Sequence, residues 1–232
     1  MMLKRSLCLT TLLLVAQAQS AEIEVSLTNV TYGLHFTPVL VAAHTANSRL
    51  FQSGSAATPA LQKMAEGGDI SELADIVSAA AGNTIINPAK GLLAPGATTT
   101  AMLSTTGSNT LLSVTAMLLP TNDGFVGLNS WPIPTEKGTY TLMLNAYDAG
   151  TEANNELVVA GSGAVNIRGI PAAPGANAGS GGSGVTVEEL NKLVHIHRGS
   201  LGDDNLTGGK SDLDNRVHRW LNPVARLTVT VK

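Results

Sequence analysis

Polar and apolar side chains alternate over residues 22–30 (EIEVSLTNV), the period of a strand with one buried face. Residues 29–38 break the alternation, and the short apolar run 39–43 reads as a second strand or its edge. Period-two or apolar runs return at 98–104, 111–119, 140–146, 157–159, 194–197 and 224–231, with Pro95-Gly96, Asn122-Asp123-Gly124 and Lys137-Gly138 as turns between them. Helical signals occur only between the early strands. Thr58-Pro59 is a cap followed by proline at the first helical position, and Asp69-Ile70-Ser71-Glu72 is a capping box ahead of Leu73, Ile76 and Val77, closed by Gly82. These predict helices at 59–66 and 70–81. The pattern implies an all-β fold, an antiparallel β-sandwich of about eight strands with two short helices inserted near 59–81. An eight-stranded closed barrel is the alternative.

The N-terminus carries a different signal. Lys4 and Arg5 precede the apolar run 7–15, which ends in Ala16-Gln17-Ala18, the pattern of a cleaved secretory signal. The run is about half of the ~20 residues a spanning helix needs, so residues 1–21 read as a signal peptide cut after Ala18 or Ala21. The remainder, 22–232, reads as one domain, secreted or periplasmic, without membrane insertion after cleavage and monomeric. The glycine-rich stretch 170–184 (PAAPGANAGSGGSG over 171–184) has no apolar periodicity and reads as a flexible surface loop. Only 48 residues follow it, too few for an independent core.

Composition narrows the chemistry. Of 14 basic residues, Lys4 and Arg5 fall in the signal, leaving 12 against 17 acids, net −5. That balance, with aromatic content of 3%, argues against a nucleic-acid partner and is compatible with a cation. The single cysteine, Cys8, lies in the signal, so the mature chain offers no thiolate metal site, thiol nucleophile or disulfide.

Two stretches then stand out. PTNDGFVG (120–127) places an acid in a tight turn after the strand 111–119, and YDAGTE (147–152) places two acids four apart after the strand 140–146. If those strand ends are level, Asp123, Asp148 and Glu152 meet at one rim. Both segments are also ordinary turn sequences. Three converging carboxylates without a basic residue repel one another, and either a raised pKa or a hard divalent cation relieves that. Calcium takes six to eight oxygens, and Asn122, Asn154, Asn155 and Glu156 are further oxygen sources nearby. Magnesium, which keeps several waters and favours phosphate partners, fits less well.

Other constellations are weaker. His195-Ile196-His197 puts two imidazoles on one strand face without a visible third ligand, and reads as packing or hydrogen bonding. Asp203, Asp204, Asp212 and Asp214, among Gly202, Gly208 and Gly209, read as a solvated loop, a second weak cation site being the alternative. No GxSxG elbow, HExxH helix or phosphate loop is present, so nothing supports an enzyme.

The segments LTNVTYGLHFTPVLVAAH (27–44), LLPTNDGFVGLNS (118–130), NAYDAGTEANNE (145–156), LVHIHRG (193–199) and WLNPVARLTVTV (220–231) together resemble the spondin N-terminal domain of animal extracellular-matrix proteins and many secreted bacterial proteins. The resemblance implies an antiparallel β-sandwich with one calcium ion held at an end. By position it implies the ligands Asp123, Asp148 and Glu152, where animal members mostly carry Asp at the third place. It also implies a non-catalytic adhesion or binding module whose partner is an extracellular protein or glycan. A carbohydrate-binding module of the cell envelope and a metal-dependent hydrolase are the alternatives.

Overall fold

The computed structural model describes residues 20–164, 167–175 and 178–232. The expected signal peptide, residues 1–21, therefore lies outside the described residues except for 20 and 21. The elements are β1 (Glu22–Asn29), β2 (His35–Phe36), β3 (Leu40–His44), α1 (Pro59–Gly67), α2 (Ser71–Ala79), β4 (Asn83–Ile86), β5 (Thr98–Ser104), β6 (Leu111–Leu119), β7 (Gly124–Pro132), β8 (Gly138–Asp148), β9 (His195–Ile196) and β10 (Ala225–Val231).

All strand pairings are antiparallel, in the order β4-β3-β6-β7-β8-β10-β1-β5, with β2 added beside β6 and β9 beside β8. β8 belongs to two layers. Its residues from Gly138 to Leu144 pair with β10, and those from Asn145 to Asp148 pair with β7. The sheet therefore turns a corner along β8 and folds over itself. Its outer strands β4 and β5 approach each other, and the backbone N–H of Thr106, just past β5, donates to Asn83 of β4 at 3.1 Å. The result is an all-β sandwich close to a closed barrel, the two architectures that the strand pattern could not separate.

The core between the layers follows from alternation. Ile23, Val25 and Leu27 of β1 meet Leu227, Val229 and Val231 of β10, and face Val41, Val114, Ala116, Val126 and Ala146 of the other layer. β3 is buried at every position and β6 at nearly every one. The reason is a third layer: α1 and α2 cover the outer face of β3, β6 and β7, so Leu40, Met117, Leu119 and Phe125 pack on Leu61, Met64, Leu73 and Val77. α1 starts as its signal predicts, while α2 begins at Ser71, one residue after the expected start, with Ile70 at the N-cap. Thr58 Oγ1 accepts from the Leu61 backbone N–H at 3.2 Å, a cap worth about 1 kcal/mol, and Gly68 ends α1 at φ 74°. Asp69 accepts from the Ser71 backbone N–H and hydroxyl rather than serving as N-cap itself, and α2 ends at Ala79, two residues early.

Three departures from the strand pattern bear on the site. β7 was hidden by Gly124, Gly127 and Asn129, residues that weaken a strand pattern. Gly127 is nonetheless required, because a Cβ there would lie 2.6 Å from the Phe51 ring. The expected strand 157–159 is a single bridge from Val158 to Ile170. The described part of 170–184 is stitched to 206–212 by backbone bonds from Gly179, Ser180, Ser183 and Gly184, together with Gly182 N–H to Asp212 Oδ1.

Candidate metal centre at the sandwich rim

Register builds the site. Asp148 ends β8 and continues its inward-facing row of Leu144 and Ala146, so the carboxylate sits at the mouth of the core. Directly across from it lie Gly124 of β7 on one side and His195 of β9 on the other. Asp123, immediately before Gly124, is held in place by its turn: Thr121 Oγ1 accepts from the Gly124 backbone N–H at 3.0 Å and donates to the Leu118 carbonyl at 2.7 Å. The Asp123 carbonyl accepts from the Ala149 backbone N–H at 3.2 Å, tying the two acidic turns together.

All three predicted acids are buried: Asp123 is 0% exposed, Asp148 2% and Glu152 2%. Their oxygens are unequally served. Asp123 Oδ2 accepts from Thr151 N–H at 2.8 Å, Glu152 N–H at 3.1 Å and the Thr151 hydroxyl at 3.1 Å, while its Oδ1 has no partner. Asp148 accepts from Gly150 N–H at 2.8 Å and from the Asn154 amide at 2.6 Å, and His195 Nε2 lies 3.7 Å from its Oδ2. Glu152 Oε2 accepts from Gly169 N–H at 2.9 Å and Asn122 Nδ2 at 3.3 Å, leaving Oε1 buried without a partner.

The structure brings Asp123 and Asp148 together. Glu152 joins them through its main chain, but its side chain turns toward Gly169, Asn122 and the acid Glu66. Among the described residues, no cluster of three or more His, Cys, Asp or Glu side chains has metal-binding geometry. Burial raises the pKa of Asp123 well above the carboxylate range, and the nearby Asp148 charge raises it further. Burial likewise raises Asp148, and lifts Glu152 to about 7. Among the described residues none of the three forms an ion pair with Lys or Arg.

His197, on the same face as His195, packs on Trp220 with ring centres 4.9 Å apart, and its Nδ1 accepts from Gly199 N–H at 3.0 Å. Burial lowers its pKa to about 3, so it stays neutral. Of the nearby oxygen sources, Asn154 serves Asp148, whereas Glu156 points away and accepts from Leu201 N–H, Gly202 N–H and the Ser211 hydroxyl. Thr151, unremarked in the sequence, holds Asp123; its place directly before Glu152 in the acidic turn is the signal that could have found it.

Fold and rim together define an all-β domain that gathers buried carboxylates at the joined ends of two neighbouring strands. Residues 28–158, more than half of the chain, match the Spondin_N family, and the chain belongs to that family. No curated protein matches it.

Proposed function

We propose that this chain is a secreted or periplasmic, non-catalytic binding module whose rim holds one calcium ion through Asp123, Asp148 and Glu152. The observation that carries the reading is the pair Asp123 and Asp148, two buried acids side by side with one oxygen unsatisfied. Leaving a buried carboxylate oxygen bare is costly, and a hard cation with oxygen ligands answers the charge and the empty acceptor at once. Glu152 Oε1 is a second unsatisfied oxygen, and a turn of this side chain away from Gly169 and back toward Asp123 would supply the third carboxylate. When bound, calcium neutralises the acids and links the turn 120–124 to the turn 148–152. The near-zero exposure of these acids favours a structural ion, because a catalytic metal keeps an open coordination position. Loops fixed in this way present a surface to an extracellular protein or glycan. Family membership supports the extracellular setting. Among the described residues no helix is long and apolar enough to cross a membrane.

Melting the mature protein in calcium, in magnesium and in chelator, alongside Asp148→Ala, tests this. Calcium at ~100 times its dissociation constant adds ~2.7 kcal/mol, a gain of about 5 to 10 °C for a domain of this size. The gain should be specific to calcium and lost in the variant. Identical melting in all three solutions, with no metal in the purified protein, would overturn the proposal.

A further inference from the structure

Residues 184–193 form a non-helical strap across the rim, beyond the segment that matches the family. Little lies beneath it. A pocket of about 260 Å³, lined by Glu152, Arg168, Ser183 and Thr186 among others, opens on one side, and one of about 340 Å³, lined by Asn154, Val185, Thr186 and His197 among others, on the other. Val187 and Leu190 stand 93% and 88% exposed, the most exposed large apolar side chains among the described residues.

Besides the bond from Val185 N–H to the Asn155 carbonyl at 3.1 Å, the strap touches the rim at two places. The first is Gly150 (φ 71°), where a Cβ would lie 2.6 Å from the carbonyl carbon of Lys192 and 2.8 Å from the nitrogen of Leu193. The YDAG turn is bare at this point because the strap backbone crosses it. The second is Asn154, whose amide nitrogen donates to Asp148 Oδ2 at 2.6 Å and to Glu189 Oε2 at 3.3 Å. One neutral NH₂ group thus stands between two carboxylates; burial is the main cause that raises the Asp148 pKa, and the Glu189 charge adds a small push in the same direction. Three residues after the strap's Lys192, His195 lies across from Asp148 in the ladder.

We infer that Glu189 is a further oxygen donor to the rim cation, so that calcium occupancy holds the strap down on the YDAG turn. This rests on the calcium reading above. Without the ion, Glu189 and Asp148 share the Asn154 amide, each with one further backbone donor, Asn191 N–H at 2.9 Å for Glu189 and Gly150 N–H at 2.8 Å for Asp148, and their charges repel. With it, both carboxylates gain a common counter-charge, and turning the Asn154 amide over offers its oxygen to the same ion. Binding therefore couples to the position of a segment that otherwise has few contacts, and to the presentation of Val187 and Leu190.

The test uses the mature protein with calcium as the only probe, and three variants: Glu189→Gln, the neighbouring Glu188→Gln, and Asp148→Ala. Calcium affinity is read by titration calorimetry, and strap closure by the rate at which trypsin cuts after Lys192, identified by mass. Calcium should slow that cut at least tenfold in the wild type and in Glu188→Gln. Glu189→Gln should bind calcium on the order of tenfold more weakly, and at saturating calcium its strap should stay open to trypsin although its melting temperature still rises. Asp148→Ala should lose both responses. If Glu189→Gln matches the wild type in affinity and protection, the strap inference fails and the calcium site stands. If the wild type binds no calcium, both fail.

Discussion

Two groups of acids in this molecule meet opposite fates. At the rim, Asp123, Asp148 and Glu152 are buried with raised pKa values and two bare oxygens. In the irregular segment beyond residue 200, Asp203, Asp212 and Asp214 have donors on both oxygens. Asp203 accepts from Asn205, Lys210 and Ser211 N–H groups at 2.7 to 2.9 Å, and Asp212 from Val158 and Gly182. Asp214, paired with Arg216 at 2.8 Å, is held down to about 2. Glu156 stitches 201–211 to the sandwich with three donors. The difference lies in the grouping and not in the number of acids: acids that stand apart with donors of their own on every oxygen are structural braces, whereas Asp123, with an empty oxygen beside the Asp148 charge in the core, calls for an ion.

The sharpest break is expected from Glu156→Ala. It strands two backbone N–H groups and a hydroxyl, and should cost about 3 kcal/mol, by the same amount in calcium and in chelator. Chemical denaturation in both solutions checks this. Asp123→Asn should behave in the opposite way. The amide keeps an acceptor for Thr151 and Glu152 and removes a buried like charge, so the chelated protein should melt no lower than wild type, while the ~2.7 kcal/mol calcium gain disappears.

Acidity sharpens the contrast further. The folded pKa of Glu152, about 7, exceeds the ordinary 4.5. The folded chain holds that proton more tightly, so without calcium this contribution is present below pH 4.5 and is lost as pH rises through 7. Calcium competes with the same proton, and its stabilising effect should grow across that span in parallel melts with calcium and chelator. Asp214 has the reverse sign: its contribution is present above 3.8 and lost as pH falls through about 2. The smallest effect should come from Arg216→Ala, an exposed partner, whose melting temperature should change little and whose calcium response should not change at all.

Much of the rim was legible because register is local. Asp123 and Asp148 follow consecutive hydrophobic runs, and Gly124 does pair with Asp148. What periodicity cannot show is where a side chain turns after the strand ends. Glu152 leaves its backbone at the site and sends its carboxylate to Gly169, a residue from a stretch without pattern. Glu189 reaches Asn154 from 35 positions away. β7 escaped because two of its first four residues are glycine, one demanded by the Phe51 ring. The continuous burial of β3 and β6 becomes intelligible only with α1 and α2 as a covering layer. The acids at 203–214 form the same kind of pattern as those at the rim; only the tertiary donors, such as Val158 and Gly182 reaching Asp212, distinguish brace from ion site.

The most direct test of that distinction is calcium titration by calorimetry of three proteins: wild type, Asp123→Asn and Asp203→Asn. The account predicts one calcium per chain in the wild type, the same affinity in Asp203→Asn, and binding lost or weakened at least tenfold in Asp123→Asn. Equal binding by Asp123→Asn, or binding abolished by Asp203→Asn instead, would contradict it.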